Sequence, residues 1–80
     1  MKNIVIYTKD TCPYCVMAKN LLQKNGLSYT EIRLDLDEQE REKMIERSGR
    51  YTVPQIFFDD THIGGYDDLY TYFSKSHSSE

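Results

Sequence analysis

The sequence predicts an α/β fold, a four-stranded mixed sheet flanked by helices, with its elements in the order β-α-β-α-β-β-α. Three observations carry that expectation. Ile4 to Tyr7 is apolar on consecutive positions, as in a central strand buried on both faces, and Val53 to Phe58 is a second apolar strand. Helix-period segments alternate with strands in the first half, which implies parallel strands joined by a right-handed crossover. A turn at Asp59-Asp60 then sends the chain back along a short return strand, so the closing pair is antiparallel. Helices covering a mixed sheet are the natural way to bury both faces.

Each element has its own local reason. Ile4 to Tyr7 is the first strand, and Thr8 to Thr11 a polar loop. Pro13 suits the first turn of a helix, where its missing N–H costs nothing. Ala18, Leu21 and Leu22 follow at helical spacing, and Asn25-Gly26 ends the helix. Tyr29 to Leu36 alternates, with Thr30, Ile32, Leu34 and Leu36 on the inner side, as in a half-buried strand. Residues 35–50 hold six acids and four bases around Met44 and Ile45. That pattern gives a solvated helix anchored by those two residues and supported by pairs such as Glu42 with Arg47 or Glu46 with Arg50. Gly49 ends it. His62-Ile63 is the return strand and Gly64-Gly65 breaks it. Asp67 and Asp68 open a last helix at its positive end, with Leu69, Tyr72 and Phe73 facing inward. Tyr7, Phe57, Phe58, Met17 and Met44 are expected in the packing.

Residues 1–80 make one domain, with 74–80 expected as a fraying tail. A chain of 80 residues buries only about 60% of its unfolded surface, so the core is small. Ten basic against thirteen acidic side chains give a net charge of −3, which argues against nucleic acid as the main partner. The only apolar run near the start is Ile4 to Tyr7. A secretory signal needs roughly 7–15 apolar residues and a membrane helix about 20, so a soluble cytoplasmic protein without membrane contact is the expectation.

The chemistry concentrates at Cys12-Pro13-Tyr14-Cys15. A disulfide across so short a loop would contribute only about 2 kcal/mol, so the pair reads as chemistry rather than scaffolding. Cys12 falls at the helix start, where unpaired N–H groups and the macrodipole favour an anion, and Lys9 adds positive charge nearby. Cys15 lies one turn further in and should be more buried and less acidic. Cys12 is therefore the expected nucleophile and Cys15 the resolving thiol. Zinc binding is the competing use of such a pair, but it needs four ligands, and only His62 and His77 remain.

Four motifs, in order and spacing, make the sequence resemble the glutaredoxins, specifically the dithiol CPYC class. They are Tyr7-Thr8-Lys9 before Cys12-Pro13-Tyr14-Cys15, then Ser48-Gly49-Arg50, then Thr52 to Phe57, then Ile63 to Leu69. The resemblance spans Met1 to Phe73. It implies a thioredoxin-like fold, glutathione as co-substrate, no resident cofactor or metal, and reduction of protein disulfides and glutathione mixed disulfides. Disulfide-bearing or glutathionylated proteins, ribonucleotide reductase being a family possibility, are the implied partners of a monomer.

Beside those cysteines the other motifs make sense as a glutathione site. The resemblance implies a cis Pro54, with the Val53 backbone left to pair with the tripeptide like an added strand at Thr52-Val53-Pro54. Alone, Val53-Pro54 would read as a plain strand start. The helix opening at Asp67 offers N–H groups to the γ-glutamyl carboxylate, and the Asp67 side chain suits the ammonium. Capping of the helix by Asp67 is the bland alternative, with Asp68 an electrostatic filler of the first turn. Lys9 suits the glycyl carboxylate. Arg41 is a second partner or a solvated helix residue, and Arg50 a weaker candidate. Tyr14 packs beside the ligand or stands exposed. Tyr66 departs from the small residue or cysteine common at its position and stacks over the ligand or crowds it. Two rival functions remain open on sequence: a glutathione-ligated iron–sulfur cluster carrier, disfavoured by Pro13-Tyr14, and a redoxin fed by thioredoxin reductase, disfavoured by Gly64-Gly65-x-Asp67.

Overall fold

The computed structural model describes residues 3–78, with side chains through Ser74. The elements are β1 (Ile4–Thr8), α1 (Pro13–Lys24), β2 (Thr30–Arg33), α2 (Glu38–Ser48), β3 (Gln55–Phe58), β4 (Thr61–Gly64) and α3 (Tyr66–Ser78). The sheet order is β2-β1-β3-β4. β1 runs parallel to β2 and antiparallel to β3, and β3 is antiparallel to β4. The predicted element order and mixed sheet are both found. The two apolar runs supply the central strands, and the two polar ones the edges. Among the described residues no helix is long and apolar enough to cross a membrane.

The two faces of the sheet carry separate apolar clusters. On one, Ile4, Ile6, Ile56 and Phe58 meet Ala18 and Leu22 of α1 and Leu69 of α3. On the other, Tyr7, Phe57 and Leu34 pack with Met44 of α2. Each fully buried aliphatic side chain contributes about 1.5–3 kcal/mol from apolar area alone. Tyr72 and Phe73 pack against the first cluster, as the inner face of α3 requires.

Several expectations need correction. β2 stops at Arg33, where a turn closes from Leu36 N–H to the Arg33 carbonyl at 3.2 Å. Leu34 still bonds Thr8 and is buried, but the turn throws Leu36 out to 76% exposure. Thr30 is exposed as well, so the alternation held for only two of its four inner positions. On α2 Met44 is the anchor, and Ile45 is exposed. Met17 is also exposed rather than packed. The expected ion pairs on α2 are replaced. Arg47 turns inward, donating to the Tyr7 hydroxyl at 3.2 Å, with its guanidinium 4.1 Å from the Phe57 ring centroid. Arg50 reaches Asp68 at 3.4 Å, and Lys43 pairs with Glu40 at 3.3 Å. The backbone of α3 is described to Ser78, within the expected tail, while 79–80 lie outside the described residues.

Candidate active site

The loop after β1 delivers Cys12 to the head of α1. Thr11, at φ +53°, is a β-branched residue in the left-handed region, and it sits where the chain turns into the helix. Its N–H accepts no freedom there: it donates to the Asp10 carboxylate at 3.0 Å, and its hydroxyl donates to the Asp10 carbonyl at 2.7 Å. Cys12 is then the N-cap, extended at φ −117°, with Pro13 following. Its sulfur accepts the Cys15 backbone N–H at 3.3 Å. A cap position normally filled by an oxygen acceptor is thus filled by sulfur, and an orphan helix donor points at it. The Val53 carbonyl lies 4.0 Å from the same sulfur and takes its S–H when protonated.

Cys15 has the opposite setting. It is 1% exposed, and burial first, then its interaction with Cys12, pushes its thiol up to about 12. Both cysteines are free thiols, Cys12 half-buried and Cys15 buried. The assignment of an accessible and a protected sulfur therefore holds in the geometry.

Two grooves near the head of α1 meet at Thr52 and Val53. The larger, about 670 Å³, is lined by Lys9, Arg41, Thr52 and Val53 together with Cys12 itself. The smaller, about 280 Å³, is lined by Tyr14, Thr52, Val53, Pro54, Tyr66 and Asp67. Every glutathione residue expected from sequence thus lines one groove or the other. The two cations fall on one side and Asp67 on the other. The Val53–Pro54 peptide is cis. Tyr66 forms a wall: its ring lies 6.1 Å from that of Tyr14 and 6.3 Å from that of Tyr70.

The head of α3 differs from expectation. The helix begins at Tyr66, so Gly65 precedes it and Asp68 occupies the third helical position. The Asp68 carboxylate reaches back to accept the Gly65 N–H at 3.1 Å, half of a capping box. Asp68 is the capping residue, and exposed Asp67 is left facing the groove. Gly64 makes this possible. At φ +124° it has a backbone few other residues adopt, and any Cβ there would collide with the Asp68 carboxylate.

Sequence reading missed several groove residues. Tyr51, 73% exposed, and the acids Asp35 and Glu38 line the larger groove. Arg50, given little weight, lines the smaller one. Gln55, 1% exposed, is a buried amide with both ends used. It donates to the Thr52 hydroxyl at 3.2 Å, and its oxygen pairs with His62 Nε2 at 2.7 Å. Burial, then the Arg50 charge, lowers the His62 pKa, so the imidazole is neutral and donates through Nε2. This relay props Thr52 where the grooves join. A Gln among apolar neighbours at the start of a strand was the available signal.

A thiol capping a helix after the first strand, a protected partner thiol one turn on, and a mixed sheet together define a dithiol redox protein of thioredoxin-like fold. The comparisons with known proteins narrow this. The glutaredoxin family model matches residues 4–63. Glutaredoxin 3 of Escherichia coli K12 is 60% identical over 70 residues, which cover 88% of this chain and 84% of the relative. The solution structure of glutaredoxin from Brucella melitensis superimposes with a TM-score of 0.80 at 45% identity, covering 94% of this chain and 82% of that one. A buckwheat glutaredoxin–glutathione complex superimposes at 0.85 with 28% identity, covering 94% and 71%. The chain belongs to the glutaredoxin family, the glutathione-dependent thiol–disulfide oxidoreductases.

Proposed function

We propose that Cys12 is the attacking thiolate and Cys15 the resolving thiol in reduction of glutathione mixed disulfides and protein disulfides. One observation carries the assignment: the Cys12 sulfur caps α1, accepts an N–H, and lines the larger groove, while Cys15 is buried. On a glutathionylated protein, Cys12 attacks the glutathione sulfur and releases the protein thiol. A second glutathione then attacks Cys12 and leaves as glutathione disulfide. On a protein disulfide, Cys12 forms the mixed disulfide and Cys15 displaces the protein, leaving a Cys12–Cys15 bond for glutathione to reduce. The two sulfurs carry the electrons, so the reaction calls for no resident cofactor.

Glutathione lies across the junction. The Val53 backbone pairs with the tripeptide, beside the Thr52 side chain. Its glycyl carboxylate faces Lys9 and Arg41 in the larger groove. Its γ-glutamyl end enters the smaller groove, where Asp67 meets the ammonium and the first-turn N–H groups of α3 meet the carboxylate. Tyr14 and Tyr66 wall that end. The places of Lys9 and Arg41 in the larger groove and of Asp67 in the smaller support this orientation. Ribonucleotide reductase is one candidate among the protein substrates, and the cytoplasm, with its reduced glutathione, is the fitting compartment for a monomer of this kind.

Steady-state reduction of a glutathione mixed disulfide tests the assignment. Cys12→Ser should abolish turnover. Cys15→Ser should keep it while losing most reduction of protein disulfides. Retained turnover in Cys12→Ser, or loss of both activities in Cys15→Ser, would mean the roles are wrongly assigned.

A further inference from the structure

The resolving sulfur faces a difficulty that the attacking one does not. Cys15 is buried with its proton held tightly, yet in the dithiol branch it must become a nucleophile without leaving the interior. A third cavity, about 390 Å³, is lined by both cysteines and by charged side chains from three segments. Lys9 and Asp10 come from the loop after β1, Lys19 from α1, and Glu31 and Arg33 from β2. Arg33 is committed to Asp35 at 2.6 Å and to Asp10 at 3.9 Å.

Lys19 is placed differently. It stands four residues beyond Cys15 on α1, one turn along the same face. Its ammonium is 3.0 Å from the Glu31 carboxylate, and the same oxygen accepts the buried Thr8 hydroxyl at 2.6 Å. Both members of the ion pair are about three-quarters covered, at 26% and 28% side-chain exposure. α1, β2 and β1 therefore hold one cation on the wall of the cavity that Cys15 faces.

Resting on the dithiol reading above, we propose that Lys19 is a positioning residue for the resolving step: its ammonium stabilises the Cys15 thiolate, and Glu31, anchored by Thr8, holds it in place. Against burial, the Lys9 backbone hydrogen bond and the Lys19 charge both pull the Cys15 thiol downward. The Thr8 hydroxyl and then Lys19 hold the Glu31 carboxyl below the usual range, so Glu31 stays anionic and is a poor base. The proton of Cys15 goes to water in the cavity. The Cys15 sulfur then attacks Cys12 Sγ of the mixed disulfide. The Cys12–Cys15 bond forms, the bond from Cys12 to the substrate sulfur breaks, and that sulfur leaves as a thiolate and takes a proton from water. The dithiol is oxidised and the substrate disulfide reduced. The glutathione branch never uses Cys15, so it does not need Lys19.

The test is a single turnover without glutathione. Cys12 is loaded as its mixed disulfide with thionitrobenzoate, and release of the coloured thiol by Cys15 is followed against pH. Lys19→Met and Lys19→Gln should slow release about three- to tenfold near neutrality and move the profile to higher pH, while Lys19→Arg stays near wild type. Turnover of a glutathione mixed disulfide should be unchanged in all three. Unchanged release and profile in both neutral variants would overturn the proposal, as would equal slowing of both branches. A wild-type protein that does not release the thiol at all would instead overturn the dithiol reading.

Discussion

Cys12 and Cys15 share one helical turn, and their surroundings are opposite in character. One sulfur is a helix cap on the wall of the larger groove, and the other is buried. A thiol pushed up to about 12 remains protonated through the neutral range and ionises only in strong alkali. Iodoacetamide at about pH 8 is therefore expected to modify Cys12 and spare Cys15. In Cys12→Ser, Cys15 labelling should go on rising with pH well past about 8.5, where a free thiol levels off. Peptide mass mapping across pH checks this, and a plateau at the free-thiol value would contradict it. The order of the two sulfurs was legible because Pro13 marks the helix start and helix ends have fixed electrostatics. The exchange of roles between Asp67 and Asp68 was not legible. They are adjacent acids in one helical turn, and which one reaches back depends on a boundary one residue wide.

At the scale of elements, the junction between β4 and α3 is the most constrained. Residue pairing slips between Ile56 and Phe57, β4 ends at Gly64, and the capping carboxylate of Asp68 fills the space beside that glycine. Gly64→Ala combines a disfavoured backbone with a steric collision. It should cost about 2 kcal/mol or more and widen the smaller groove as Asp68 is displaced. The urea midpoint reads the first effect and the KM for glutathione the second; wild-type values for both would show that the junction yields freely. The sequence placed all seven elements, since each has its own period and stop signal. It failed where a tertiary neighbour decides. Arg47 leaves its helix surface because a phenol and an aromatic face lie beneath it, and no pattern within α2 records that. The alternation of 29–36 likewise cannot show that the Arg33–Asp35 ion pair closes a turn before Leu36.

Across the whole molecule, the candidate site joins segments distant in sequence, and a polar relay through buried Gln55 supports one of them. His62, stacked on Phe57 at 4.9 Å between ring centroids, supports Gln55 and through it Thr52. Its folded pKa lies below the usual 6.5, so above that value both folded and unfolded states are neutral and stability is complete. As pH falls below 6.5 the unfolded chain takes the proton first, and stability declines until folded His62 itself titrates. The urea midpoint should thus drop as pH falls through about 6.5 and below, and His62→Gln should flatten the drop; equal slopes would remove His62 as the cause. Glu31 and Asp35, held below 4.5 and 3.8, lose their contributions only at lower pH. That Lys9 and Arg41 would line one groove and Asp67 the other could be expected only through family likeness, because no local pattern brings together residues from three separate segments. The rims of the sheet have a further consequence. Both outer strands are four residues long; one carries Glu31 and Arg33, and the other ends in an irregular pairing. Such rims give a neighbouring molecule little backbone to extend, so these two described edges are poor templates for stacking copies into fibrils.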